Sequence, residues 1–139
     1  MSRITPDELN TLKNNEVYVF PSNLAGKNIS EIAKNAELRF GARYGKFFGQ
    51  CGRSYAIPII DKDMLIKLPL IKIKRYVEMF CEEAKTKSWN TYYLVGFGKS
   101  GIGFWPIEDI APIFAECAKL ENVYLPREIV EYLSKQSKA

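Results

Sequence analysis

Hydrophobic and polar positions follow two alternating patterns along the chain. Compact runs rich in β-branched and aromatic residues predict strands at 16–20, 54–60, 91–97 and 122–125. After each of the first three strands, apolar residues recur every three or four positions, the spacing of one helical face. Strands that alternate with helices predict an α/β fold with a mostly parallel sheet, right-handed crossovers and helices on both faces.

Five helices are predicted. Thr5, Pro6 and Glu8 form a capping pattern that predicts a short N-terminal helix to about Asn14. The fifth and last helix is predicted to begin at Pro126 and to run through Leu133. The other three helices have the following apolar faces: Ile29, Ile32, Ala33, Ala36 and Phe40, ended by Gly41; Leu70, Ile73, Val77, Phe80, Cys81 and Ala84, over about 16 residues; and Ile107, Ile110, Ala111, Phe114 and Ala118.

Proline and glycine complicate two stretches. Pro58 lies inside the 54–60 run and would normally restrict it to a sheet edge, because proline has no N–H to donate. The four glycines of 41–53 predict a folded-back loop with a short strand at 42–44.

Two loops follow predicted strands and lead into helices, at 21–29 and 96–106. In α/β sheets, ligands bind beyond the carboxyl ends of the strands, where such loops meet helix N-termini. The unpaired N–H groups and positive dipole end of a helix favour an anion. The two loops therefore predict a phosphate-binding cleft.

The second loop, GKSGIGFWP, has three glycines with a lysine and a serine, which allow a backbone to wrap closely around phosphate. It lacks the GxxxxGK[ST] spacing of a Walker A motif. Phe104 and Trp105 either stack on a base or ribose or belong to the core.

In the first loop, Asn23 offers a donor and an acceptor to a ligand. The alternative is an Asx-turn, in which the same side chain holds the loop after Pro21. Both interpretations stay open on the sequence.

Length and composition favour one domain over residues 1–139, with an N-terminal brace at 1–15 and a core at 16–133. No run approaches the roughly 18 apolar residues of a membrane helix, and residues 1–10 are too polar for a signal-peptide core. We therefore expect a cytoplasmic protein with no membrane partner.

Three cysteines and no histidine argue against a disulfide framework or a zinc site, so no metal is predicted. The lack of histidine excludes Ser-His-Asp and Cys-His catalysis and leaves Asp, Glu, Tyr, Lys, Cys or water as the base. Cys81 and Cys117 fall in helical patterns and are interpreted as packing residues.

The candidate catalytic groups are few: Asn23, Asp61 and Asp63. Asp61 and Asp63 follow a strand and are candidates for a general base, although an Asp-Lys-Asp linker is also typical of a solvated turn. Cys51 lies two residues from Arg53, whose charge would favour a thiolate; the alternative is an incidental thiol.

The formal net charge is +4, and residues 27–53 contain six basic residues and two acidic ones. This surplus suits an anionic ligand, a nucleic acid or solvent. A nucleic-acid or protein interaction surface would use Tyr44, Phe47 and Phe48, which lie among the basic residues: Lys27, Lys34, Arg39, Arg43, Lys46 and Arg53.

The run GFGKSGIGFWPIEDIAPIFAECA resembles the macro-domain signature of a strand, a Ser/Thr-Gly-Ile-Tyr-Gly-Phe-Pro loop and an acidic, Ala-rich helix. Asn23 in FPSNLAG resembles that family's Asn after its first core strand, and the resemblance extends over residues 16–133. The chain looks closer still to phage and bacterial proteins with Ser-Asn-Leu-Ala-Gly and Ser-Tyr-Ala-Ile-Pro motifs.

The resemblance implies a three-layer α/β/α sandwich that binds ADP-ribose or a related nucleotide and needs no further cofactor. It gives Asn23 a distal-ribose role and places Phe104 beside the ribose. Hydrolysis of an ADP-ribose derivative is one expectation, with non-catalytic sequestration of a signalling nucleotide as the alternative. The ligand-binding residues predicted in the two loops are Ser22, Asn23, Leu24, Gly26 and Asn28, and Lys99, Ser100, Gly101, Ile102, Gly103 and Phe104, with Ser100 to Gly103 on the diphosphate.

Overall fold

The structure of the protein, a computed structural model, describes residues 3–63, 66–97 and 105–137. Its strands are β1 (Glu16–Asn23), β2 (Gly49–Cys51), β3 (Ser54–Ile60), β4 (Thr91–Leu94) and β5 (Val123–Tyr124). Its helices are α1 (Glu31–Phe40), α2 (Leu70–Thr86), α3 (Ile107–Ile110), α4 (Ala115–Ala118) and α5 (Arg127–Ser137), and a 3-10 turn, Ala111–Phe114, joins α3 to α4.

The strand order is β2-β3-β1-β4-β5. All neighbours are parallel except β2, which runs antiparallel to β3. The predicted α/β class with a mostly parallel sheet is therefore confirmed. Within the described ranges, no helix is both long enough and apolar enough to cross a bilayer.

Side chains of β1 alternate between two buried clusters, one on each face of the sheet. Val17 and Val19 belong to a large cluster that also contains residues of α2, the irregular helix 107–118 and α5. Tyr18 and Phe20 belong to a smaller cluster closed mainly by α1. Helices therefore cover both faces, as the sequence predicts.

Three crossovers set the direction of the chain through the sheet. From β1 the chain moves to β3 by way of α1, on the face of the smaller cluster. From β3 it passes back over β1 to β4, and then to β5, by way of helices on the opposite face. Opposite directions on opposite faces give the three crossovers the same hand.

Pro21 does not end β1, contrary to the prediction, because its missing N–H is not needed there. The Val95 N–H donates to the Val19 carbonyl on the β4 side, at 2.9 Å. The next β1 residue facing that side is Pro21, where β4 has already ended at Leu94. Pro58 lies similarly in β3, beyond Ala56, the last residue that pairs with β2.

The predicted N-terminal helix at 5–14 is wrong. Ile4 forms a parallel bridge with Leu125, and the Thr5 N–H donates to the Leu125 carbonyl at 2.8 Å. The Thr5 hydroxyl donates to the Leu94 carbonyl at 2.7 Å. The group that would cap a helix is bound to the sheet, so residues 3–15 form an irregular segment.

Several boundaries also differ from prediction. Helix α1 begins at Glu31, because the Ser30 side chain accepts from the Ala33 N–H, and Ile29 is 58% exposed. The short strand expected at 42–44 lies at Gly49–Cys51 instead, and the strand expected at 91–97 ends at Leu94.

The buried face of the predicted helix 107–118 is shifted by one residue at its end. Cys117 is buried and Ala118 is exposed, the reverse of the expected pattern at this turn. The reason is the 3-10 turn at Ala111–Phe114, which has about three residues per turn and so rotates the face. Pro112 lies in that turn.

Candidate functional site

The carboxyl ends of β1 and β4 flank the point where the chain reverses direction across the sheet. The connection that leaves β1 runs to β3 on one side, and the connection that leaves β4 runs to β5 on the other. The two loops therefore diverge from a crevice between neighbouring parallel strands. In open α/β sheets, such a reversal is the usual position of a ligand.

Asn23 ends β1 and is almost fully buried. Its amide nitrogen donates to the Lys27 carbonyl at 2.8 Å, and its amide oxygen accepts from the Lys27 N–H at 3.1 Å. Both ends of the side chain thus close the turn 23–27, the geometry of the loop-bracing interpretation. A ligand contact of Asn23 remains a prediction.

Gly26 holds the first loop against a second one. It has φ +70°, and its carbonyl accepts from the Gly45 N–H at 2.8 Å. A Cβ at Gly26 would lie 2.6 Å from two backbone atoms of Gly45, so no side chain fits without moving the backbone. Only glycine allows this close approach of the two loops.

The other predicted residues of the first loop have separate surroundings. The Ser22 hydroxyl donates to the Phe47 carbonyl at 2.6 Å. Leu24 is half-buried and packs against the large cluster, and the Asn28 amide donates to the Glu37 carboxylate at 3.3 Å. Ser22 and Leu24 therefore contribute first to the loop's own structure.

The second loop is described only at its two ends. Residues 98–104, which include the predicted ligand residues Lys99, Ser100, Gly101, Ile102, Gly103 and Phe104, lie outside the described residues. At the start, Gly96 has φ +81°, and a Cβ there would lie 2.5 Å from the end of Ile32 and 3.5 Å from Pro21. This glycine lets the second loop leave β4 directly beside β1.

Trp105, at the other end, is held by the protein. Its indole N–H donates to the Leu68 carbonyl at 2.9 Å, and the Lys67 ammonium lies 4.1 Å from the ring centroid. The ring also packs against the large cluster. This is the core interpretation of Trp105 rather than a free stacking surface.

The weaker catalytic candidates have surroundings of their own. Asp61 directly follows β3, and its carboxylate accepts from the Lys62 N–H at 2.6 Å, while Asp63 is exposed. The Arg53 guanidinium donates hydrogen bonds to the Leu12 carbonyl and to the Asn14 side chain rather than to the Cys51 thiol. Within the described ranges, no three side chains of metal-binding type lie together.

Cys81 and Cys117 are buried in the large cluster, as the packing interpretation predicts. Each affects the other's ionisation. A hydrogen bond from Cys117 lowers the pKa of the Cys81 thiol, and the same contact together with burial raises the pKa of Cys117.

A cavity of about 630 Å³ opens on the α1 side of the sheet, beside Gly96. Its volume falls within the roughly 300–1,000 Å³ of small-molecule sites. The polar groups that line it come from the N-terminal segment, the sheet, α1 and the start of α5, and include Thr5, Asp7, Glu8, Asn10, Asn35, Arg127 and Glu128.

Tyr18 and Asn35 also line this cavity. The Asn35 amide donates to the Leu9 carbonyl and to the Tyr18 hydroxyl, both at 3.4 Å. Burial raises the pKa of Tyr18, so its hydroxyl is neutral near neutral pH. The sequence analysis missed both residues, since neither lies in a loop; the alternation of β1 is the signal that separates Tyr18 from Val17 and Val19.

The geometry brings Asn23, Gly26 and Gly96 together at the carboxyl edge of the sheet, with the cavity next to Gly96. Compared with protein-family models, with curated proteins and with solved structures, the chain matches none.

Proposed function

We propose that this protein binds a phosphate-bearing nucleotide of the ADP-ribose type at the carboxyl ends of β1 and β4. The phosphates lie between the loops 21–29 and 96–106, against the glycine-rich run of the second loop. The fold proposed with this function is the three-layer, macro-domain-like α/β/α sandwich that the sequence motifs resemble.

One observation carries the proposal: the two loops singled out by their sequence flank the reversal of the strand order. The β1–β4 neighbourhood depends on residues far apart in the chain, so it is independent of the loop motifs. Two unrelated arguments, one from glycine chemistry and one from topology, thus select the same crevice.

The cavity beside Gly96 provides room for the part of the ligand that carries no phosphate. Three of its lining carboxylates, Asp7, Glu8 and Glu128, repel phosphate but accept hydrogen bonds from hydroxyl and amino groups. Arg127 is the cation among the lining residues. A nucleotide would therefore lie with its phosphates at the loops and its sugar or base toward the cavity.

A matched pair of serine substitutions tests this arrangement. Ser100→Glu adds a carboxylate within the proposed phosphate loop, whereas Ser88→Glu adds the same group before β4, at the opposite end of that strand. Ser88 is exposed, so its replacement should leave the fold intact. Isothermal titration with ADP-ribose should give saturable binding that Ser100→Glu weakens at least tenfold, about 1.4 kcal/mol.

Ser88→Glu should keep the affinity of the unmodified protein within about twofold, since solvent and salt screen charges farther apart than roughly 10 Å. Equal losses in the two variants would place the ligand elsewhere. No saturable heat with ADP-ribose in the unmodified protein would reject the ligand class.

A further inference from the structure

Two segments distant in sequence meet at one end of the molecule. The Gly45 N–H donates to the Gly26 carbonyl, and the Ser22 hydroxyl donates to the Phe47 carbonyl, at 2.8 and 2.6 Å. Residues 24–28 and 43–47 therefore form one surface, which we call the basic tip. Its exposed long side chains are Lys27, Arg43, Tyr44, Lys46 and Phe47.

The two segments of the basic tip contain no carboxylate of their own, and the Glu37 carboxylate of α1 accepts from the Asn28 amide at the edge of the tip, at 3.3 Å. Neither 24–30 nor 41–53 contains an Asp or a Glu. Lys27, Arg43 and Lys46 form no ion pair with any residue in the described part of the chain. The nearby Arg53 differs, because its guanidinium is bound to Leu12 and Asn14.

Two aromatic rings stand among these cations. Tyr44 is 69% exposed and Phe47 is 40% exposed. Phe48, the next residue, points into the protein and packs against Tyr55 and Tyr76 at centroid distances of 5.9 and 4.9 Å. Exposed aromatic side chains are informative where they coincide with charge of one sign, because surfaces that bind single-stranded nucleic acid combine the two.

We propose that the basic tip binds single-stranded nucleic acid, with phosphates on Lys27, Arg43 and Lys46 and bases stacked on Tyr44 and Phe47. Sequence-tolerant binders of single strands combine these two features, a cationic path for the backbone and aromatic faces for the bases. A duplex keeps its bases stacked inside, so it would use the cations but not the rings.

The tip is also rigid enough to act as a platform. The hydrogen bond and close contact between Gly26 and Gly45 fix one loop against the other, and the bond from Ser22 fixes Phe47 to the end of β1. The backbone that carries the cations is thus held in place before binding, which lowers the entropy lost on association.

Fluorescence anisotropy with a labelled 20-nucleotide oligothymidine tests the proposal. The variant Lys27→Gln/Arg43→Gln/Lys46→Gln removes three charges from the tip. The matched variant Lys72→Gln/Lys74→Gln/Arg75→Gln removes the same residue types from exposed positions of α2. The tip variant should lose at least tenfold in affinity, and the slope of log K against log salt should fall by about 2. The α2 variant should lose less than about threefold in affinity, and its salt slope should fall by less than about 1.

The aromatic contribution is measured separately. Tyr44→Ala/Phe47→Ala should weaken binding by roughly tenfold or more while leaving the salt slope unchanged, because stacking releases no counterions. Circular dichroism and the melting temperature of each variant establish that it is folded.

Several results would overturn the proposal. One is the absence of oligothymidine binding at low salt, and another is an equal loss in the tip and α2 variants. Tighter binding of a 20-base-pair duplex, or of a polyglutamate peptide, would show that the tip recognises charge alone. An unchanged affinity in the aromatic variant would reject base stacking.

Discussion

The two faces of the sheet are closed in different ways. On one face, α2, the irregular helix 107–118 and α5 bury a cluster that contains the edge-to-face series Tyr55, Phe80 and Tyr92. On the other face, α1 covers part of a smaller cluster, and the irregular segment 3–15 lies beside it with Leu9 and Leu12 only partly buried.

The two faces differ in the interactions that stabilise them and in the cavity that lies beside the second one. The first face depends on the packing of buried apolar side chains. The second depends on polar clamps: Thr5 on the carbonyls of Leu94 and Leu125, and Arg53 on Leu12 and Asn14. The cavity of about 630 Å³ lies on this second face. A region held by hydrogen bonds at its edges can keep an opening that a packed core would close.

The largest expected effect is on the first face, which α2, the irregular helix 107–118 and α5 cover. Phe80→Ala should lower the free energy of unfolding by about 3–5 kcal/mol, because the ring is fully buried between Tyr55 and Tyr92. Leu12→Ala, on the second face, should cost under about 1 kcal/mol, since the side chain is partly exposed. Urea denaturation measures the free energy of unfolding of both variants. Similar losses would mean that packing contributes equally to stability on the two faces.

An intermediate effect is expected at the polar clamp. Thr5→Val removes the buried hydroxyl that donates to the Leu94 carbonyl and leaves that carbonyl without this partner. We expect a loss of about 1–2 kcal/mol. Hydrogen exchange should become faster in residues 3–15 before it changes in β1.

Thr11→Val is the matched control, because Thr11 is exposed in the same segment. It should leave both the stability and the exchange pattern unchanged. If Thr5→Val instead accelerates exchange uniformly across the sheet, the segment is part of the global folding unit and the contrast between the faces fails.

The sequence predicts the helices of the first face well, because helical spacing is a pattern of neighbouring residues. On the predicted α2 face, Leu70 is partly buried, and the other five residues are buried: Ile73, Val77, Phe80, Cys81 and Ala84. The stop of α1 at Gly41 is confirmed by its left-handed φ of +87°. Periodicity and glycine conformation are properties of neighbouring residues, so a single sequence contains them.

The second face and the site geometry depend on distant residues. The capping pattern at Thr5 predicts a helix, but carbonyls of residues 94 and 125 compete for its donors. Pro21 predicts the end of β1, but β4 ends at Leu94, so β1 continues past a proline whose missing N–H has no partner strand there. The adjacency of β1 and β4 and the contact of Gly26 with Gly45 are likewise results of strand order, which loop motifs do not specify.

The smallest expected effect is a pH-dependent one, at the base of the irregular segment. The Glu16 carboxylate accepts from the Lys13 N–H and from the Tyr93 hydroxyl, both at 2.8 Å. The bond from the Lys13 backbone is the main cause that lowers the Glu16 pKa from 4.5; burial opposes it, and Tyr93 and the Lys13 charge add to it. Burial, followed by the hydrogen bond to Glu16, raises the pKa of Tyr93 to about 12.

A carboxyl whose pKa is lowered by folding stabilises the folded state above its unfolded pKa, and this stability disappears as the pH falls through the folded value. Glu16→Gln should therefore lower the melting temperature at pH 7 by an amount equivalent to under about 1 kcal/mol, since solvent screens this partly exposed group. The difference from the unmodified protein should shrink as the pH falls from about 4.5. Glu121→Gln, at an exposed position, should show no such convergence. A difference between Glu16→Gln and the unmodified protein that stays constant down to acid pH would mean that the carboxylate charge does not help to hold the segment.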